Sequence, residues 1–318
     1  MPLATSFLAA KIETPPGTWS APTLAANALT VRNLTIDPFN TATLRRNIDK
    51  GFAGANPSIP SAVHRGYSFE MELSGSGTDD VAALWATMLR GSMFGAAVPG
   101  ASDVAYPLTS AGDGDALSML LLKDTILHEV RGARGNAVLT FNEKALPFVA
   151  FSGLGLFRTA GEVYKAGSSS GLSLGVYPAP VEVNLENTII TLDAFTLGVR
   201  EFSVDLGMKT QLYSTTGSRQ VIFGKDDEGD RRAVKFRASF ELPDSASKNY
   251  SASIAAGSVL PFTLVHGATA GNIIELSSTR AIAETITYSE DANRLFANVT
   301  GVCVPSAAGN DEIVLVTK

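Results

Sequence analysis

Between Tyr67 and Ser74 apolar and polar side chains alternate without a break, with Tyr67, Phe69, Met71 and Leu73 on one side and Ser68, Glu70, Glu72 and Ser74 on the other. A period of two marks a strand with one face on a core and one in water. Val234, Phe236, Ala238 and Phe240 set against Lys235, Arg237, Ser239 and Glu241 follow the same rule. Shorter runs place Leu34 and Ile36 opposite Asn33, Thr35 and Asp37, and Phe202 and Val204 opposite Glu201, Ser203 and Asp205. The pattern predicts a mainly β chain whose strands present broad polar faces. One stretch departs from it: Val81, Leu84, Trp85, Met88 and Leu89 recur at helical spacing, which predicts an amphipathic helix with Asp79 and Asp80 at its start. A shorter helix is expected over Ser251 to Ala256, ended by Gly257.

The chain also repeats itself, and repeats decide architecture before motifs do. Val31 to Asp37 matches Val199 to Asp205 at a separation of 168 residues, and His64 to Phe69 matches Arg231 to Phe236 at 167. Glu129 and Arg134 fall opposite Glu275 and Arg280 at 146, and Phe148 to Gly153 opposite Phe296 to Gly301 at 148. Four collinear blocks predict two tandem copies of one domain, the first longer by about twenty residues in the region of the predicted helix. The expected division is an extended N-terminal arm over 1–27, a first domain over 28–160, a Gly/Ser/Pro-rich linker over 161–187 and a second domain over 188–318. Each copy carries a long segment between its first two strands, over 47–62 and 215–230. Ordered loops of such length are uncommon without a task.

Composition narrows the class. With 318 residues, 45% hydrophobic and 18% charged, the chain can bury a full core, and 29 glycines and 15 prolines favour strands and turns. Net charge is −6, so no basic field invites phosphate binding, though an acidic wall lets DNA pass without sticking. The single Cys303 excludes an intramolecular disulfide. Leu3 to Ala10 lacks the basic lead of a signal peptide, so the chain is expected to be soluble and cytoplasmic when made.

Enzyme chemistry finds little purchase. His64, His128 and His266 lie far apart without metal-type spacing, and no nucleophile elbow, phosphate loop or zinc-protease motif occurs. Gly153-Leu154-Gly155 lacks the third glycine of a dinucleotide fingerprint. Asp226-Asp227-Glu228-Gly229-Asp230 has the look of a calcium loop, but the spaced ligands and distal glutamate are missing, and it reads as a solvated hairpin tip. No catalytic residue, cofactor or metal is expected.

Ala10 to Trp19 (AKIETPPGTW), Ala28 to Leu34, Gly51 to Pro60 (GFAGANPSIP), Phe69 to Gly77 (FEMELSGSG), Val130 to Gly135, His266 to Asn272 and Ala308 to Glu312, in this order, resemble the tail tube (major tail) proteins of long-tailed, non-contractile bacteriophages. The resemblance implies β-sandwich domains, each with a flanking short helix, whose sheets join ring by ring into a continuous inner β-barrel that conducts the genome. Rings of that family commonly hold six such domains, so a doubled chain implies homotrimeric rings. It also implies a place in the virion tail, a tape-measure protein and DNA transiently in the lumen, and terminator and tip proteins at the ends. On that view Asn33, Thr35, Asp37, Glu70, Glu72, Glu201, Ser203 and Asp205 face the lumen, the outward assignment staying open. Lys50, Phe52, Asn56, Ile59, Arg219, Val221, Phe223 and Asp226, in the two long segments, are expected at ring-to-ring contacts. Rival readings are the tube of a contractile tail or secretion-like machine, and a secreted β-sandwich lectin or adhesin.

Overall fold

The alternating runs form strands that pair antiparallel throughout. The computed structural model describes residues 6–158, 165–168, 170–175, 178–244 and 246–318. In chain order the strands are β1 (Ser6–Ile12), β2 (Ala28–Leu29), β3 (Arg32–Arg45), β4 (Ser58–Glu72), β5 (Val98–Pro99), β6 (Val104–Tyr106), β7 (Leu117–Lys123), β8 (Ile126–Asn142), β9 (Phe148–Phe157), β10 (Lys165–Ala166) and β11 (Thr188–Leu192). There follow β12 (Phe195–Thr196), β13 (Val199–Asp205), β14 (Thr210–Ser214), β15 (Arg219–Phe223), β16 (Lys235–Glu241), β17 (Phe262–His266), β18 (Ile274–Ser278), β19 (Ala281–Asp291), β20 (Arg294–Cys303) and β21 (Val314–Thr317). The helices are α1 (Ala86–Arg90) and α2 (Tyr250–Ala255).

One run of ladders crosses the molecule in the order β3, β4, β9, β8, β13, β16, β20, β19. Its first four strands and its last four have the same chain order. Behind them, β2, β1, β7 and the start of β8 form one group, and β12, β11, β17, β18, β21, β6 and β5 another. Apolar side chains from the front and back strands meet in one continuous core, where Phe262 of β17 lies 5.1 Å from the Phe202 ring of β13 and 5.8 Å from that of Phe236 on β16. The alternation that set these residues on one face is thereby explained.

The ladders adjust two of the repeat spacings. Thr35, Ser68 and Ser152 share a rung, as do Ser203, Arg237 and Thr300. The outer pairs keep the separations of 168 and 148, but the middle pair requires 169, so Tyr67 and not Phe69 is the counterpart of Phe236. Similarly, Arg134 stands where Ile282 stands, not Arg280, since each pairs with the residue after Gly153 or Gly301. Both slips are of two residues, which leave every side chain on its face. Packing agrees: a Cβ on Gly153 would lie 2.6 Å from Tyr67 Oη, and one on Gly301 would lie 2.7 Å from Phe236 Cε1. The Arg32 guanidinium sits 4.6 Å from the Phe148 ring centre, and that of Arg200 sits 4.6 Å from Phe296.

Three expectations are corrected. The N-terminal segment is no free arm, because Phe7 to Ala10 are buried in β1, paired with β7; residues 1–5 lie outside those described. The linker is partly structural: β10 pairs with β8, Val183 is buried and exchanges backbone bonds with Lys144 and Ala145, while 161–164, 169 and 176–177 lie outside the described residues. The first helix is shorter than its periodicity, beginning at Ala86 with no side-chain cap from Asp79 or Asp80. The Ala83 N–H is instead taken by Tyr106 Oη at 3.0 Å. The second helix lies over Tyr250–Ala255, capped by Asn249, which accepts from the Ala252 N–H at 3.0 Å.

Candidate assembly surfaces

The face of the front strands away from the core carries all eight residues predicted for a lumen. Asn33, Thr35 and Asp37 are exposed on β3, Glu70 is half-buried and Glu72 exposed on β4, and Glu201, Ser203 and Asp205 are half-buried on β13. Two of them, Glu70 and Asp205, anchor local networks. Glu70 accepts from Arg32 Nε at 2.7 Å and from Asn33 Nδ2 at 3.0 Å. Asp205 accepts from Asn136 Nδ2 at 2.6 Å and from the Gly207 N–H at 2.8 Å. Sequence reading missed the strands between and beyond: Asn136, Thr140 and Asn142 of β8, Ser152 of β9, and Asn298 and Thr300 of β20 continue the same face. Their signal was available in the alternation of β8 and β20, but it is diluted by Val138, Ala150 and Val302 on the same side.

The junction between the two groups of four is an ordinary antiparallel ladder in which Glu201 faces Asn142, Phe202 faces Phe141, Ser203 faces Thr140, Val204 faces Leu139 and Asp205 faces Val138. Phe202, Phe141, Val204 and Leu139 are buried, so the joint seals a core as well as a sheet. The outermost strands of this run are β3 and β19; among the described residues no strand of the run pairs beyond either, and the outer edge of β19 is bridged at its start alone, where Val259 meets Ile282 and the Leu260 N–H bonds the Ala281 carbonyl at 2.7 Å. On β19 Tyr288 is 51% exposed although it points to the core side, paired across from buried Ala297.

The predicted stacking residues divide between unlike environments. In the first half β3 and β4 run on as a long hairpin, with Arg45 paired to Ser58, so that only 46–57 remains a loop. There Phe52 is 74% and Ile59 52% exposed, with Phe39, Leu44 and Ile48 also exposed. Lys50 Nζ donates to the Ala55 carbonyl at 2.5 Å, and Asn56 is half-buried. In the second half β14 and β15 form a separate hairpin, and Val221 and Phe223 are fully buried, which removes both from any contact with another ring. They pack on the first half, against β8 and β9. Arg219 stays exposed, and Asp226 closes a turn, accepting from the Glu228 and Asp230 N–H groups at 3.0 and 2.8 Å.

Reactive groups remain scattered. Asp226, Glu228 and Asp230 form the sole metal-type trio among the described residues, and its Asp226 carboxyl is held below the usual range chiefly by the Asp230 N–H. Burial pushes the Cys303 thiol up to about 12, far from a reactive thiolate. Burial also lowers the pKa of His266, which hydrogen-bonds Thr188 Oγ1 at 2.8 Å and meets the Phe141 ring edge-on at 5.9 Å. His64 Nδ1 lies 2.9 Å from the Ala62 carbonyl. Among the described residues no helix is long and apolar enough to cross a membrane. No protein-family model matches the sequence, and no curated protein matches it.

Proposed function

We propose that this chain is a non-enzymatic structural subunit built from two copies of one β-sandwich domain, which closes into rings with other copies of itself and stacks them into the tail tube of a long-tailed phage. The observation that carries the reading is the joint between β8 and β13. It is a worked example, inside one chain, of how the last strand of one unit meets the first strand of the next, and β19 and β3 are the strands left to repeat it. Transferring the register through the matched rungs pairs Asn33 with Asp291, Thr35 with Ser289, Ile36 with Tyr288 and Asp37 with Thr287 of the neighbouring copy. Closure removes both free edges, a standing aggregation hazard in a monomer. Three chains complete six units. The polar face, where Asp37, Glu70, Glu72, Glu201 and Asp205 outnumber Arg32, Lys235 and Arg237, lines the channel and repels DNA in transit. The tip over 46–57 reaches the next ring, with tape-measure, terminator and tip proteins as the other partners.

Tyr288→Lys tests the joint. The site is already half in water, so thermal unfolding of the monomer should shift little, whereas a lysine at the seam opposite Ile36 should weaken self-association at least tenfold. Sedimentation velocity reads both states. Assembly by the variant at the wild-type concentration would remove the β19 to β3 joint from the account.

A further inference from the structure

Five large apolar side chains, Phe39, Leu44, Ile48, Phe52 and Ile59, are exposed along one hairpin. Its counterpart in the second half buries the same kind of residue. Following the ladders, Ala42 pairs with Ser61 and Leu44 with Ile59, while Thr210 pairs with Phe223 and Leu212 with Val221, so Ile59 stands where Val221 stands and Leu44 where Leu212 stands. Val221 is completely buried because β14 and β15 fold across the end of β8, β9 and β4. The turn into that hairpin is fixed by the Met208 N–H, which donates to Asn136 Oδ1 at 3.0 Å. Met208 and Thr210 then lie beside Ser152, Gly153 and Leu154.

Among the described residues the equivalent ground on the second half carries no hairpin, although Val259 bridges the Ile282 backbone at its margin. The rung Asp37, Gly66, Leu154, Arg134 in the first half corresponds to Asp205, Lys235, Val302, Ile282 in the second. Val302 and Ile282 are half-exposed there with no hairpin over them. Charge agrees with an occupant of the first hairpin's kind: it carries exposed Arg45 and Arg46, and β19 carries exposed Glu284 two residues from Ile282.

We infer that the hairpin of β3 and β4 folds over the second half of another copy of this chain, seating Ile59 and Leu44 on Ile282 and Val302 as Val221 and Leu212 are seated on the first half. The inference rests on the proposed self-assembly and assigns it a second contact, a strap laid across the joint between β19 and β3. Strap and joint together make each contact between chains a copy of the contact inside one chain. Burying exposed apolar side chains that lie on a hairpin with no other cover supplies the driving force.

A photo-crosslinking residue in place of Ile59, in a mixture of ordinary and nitrogen-15-labelled chains, tests this directly. The expected product joins a light chain to a heavy one, with the attachment between residues 281 and 304. Attachment elsewhere, within a single chain, or none at all overturns the strap. Ile59→Asp, fully on the exposed hairpin and so without consequence for folding, should weaken assembly at least tenfold. Assembly sensitive to Tyr288→Lys but indifferent to Ile59→Asp defeats the strap and leaves the ring reading standing. Wild-type protein that stays monomeric at every concentration defeats both.

Discussion

Trp85→Ala should destabilise the protein by about 3–5 kcal/mol, the usual cost of emptying a large buried aromatic site. Trp85 is completely buried, lies 4.7 Å from the Tyr106 ring, and its Nε1–H donates to the Ser74 carbonyl at 2.9 Å. Truncation leaves a cavity and a carbonyl without its donor, and the two costs add. The site is also a keystone between the halves. Tyr106 Oη accepts from the Ala83 N–H and shares a 3.0 Å hydrogen bond with Thr317 Oγ1 on the C-terminal strand β21. A shifted Tyr106 therefore loosens the pairing of β6 with β21. Urea unfolding of the monomer measures the loss, and Phe52→Ala, at a largely exposed site, is the control expected to change stability by less than about 0.5 kcal/mol. Equal, small effects from both would contradict the core described above.

Glu312→Ala should cost a similar amount, about 3–5 kcal/mol, because it leaves a buried guanidinium without its counter-charge. The side chains of Arg232 and Glu312 are 5% and 9% exposed and meet at 2.7 Å. Arg232 also donates to the Thr109 carbonyl at 2.8 Å and to Asn310 Oδ1 at 3.2 Å. This one cation thus gathers the approach to β16, the segment after β6 and the loop before β21. Replacing both partners together, as Arg232→Met with Glu312→Leu, should recover most of the loss, since an apolar pair carries no desolvation cost. Failure of the double variant to recover would mean that the contacts to Thr109 and Asn310, and not the charge pair, hold the site.

The sequence disclosed strands with one wet face wherever alternation ran for several residues, as in Tyr67 to Ser74. It could not fix register between repeats. A slip of two residues preserves every face, so Phe236 aligns as well with Phe69 as with Tyr67, and only the pairing partners choose between them. Strand β1 escaped because Ala9 and Ala10 give a weak signal, although both are buried. The start of α1 was hidden because the competing bond to Ala83 comes from Tyr106, far along the chain. Val221 and Phe223 resembled Ile59 in every local respect. What separates them is whether a neighbouring sheet lies within reach, which is a tertiary fact. The open polar face was legible on β3, β4 and β13, where charge marks it, and obscure on β8, where Val138 shares it with Asn136 and Thr140.

The two halves of the chain differ in what is covered. The first half receives a strand and a hairpin from the second. The second half offers an edge at β19 and uncovered ground at Val302 and Ile282, while the first extends an edge at β3 and an uncovered hairpin. Supply and demand match in kind and in number, as a head-to-tail contact requires, and the rotation between copies decides whether that contact closes into a ring.

Electron microscopy of the assembled protein with symmetry averaging measures that closure most directly. Stacked rings of three chains are expected, with six similar units around the wall and the polar faces of β3, β8, β13 and β20 lining the channel. Rings of six chains, open sheets, or a channel lined by the opposite side of those strands would contradict it.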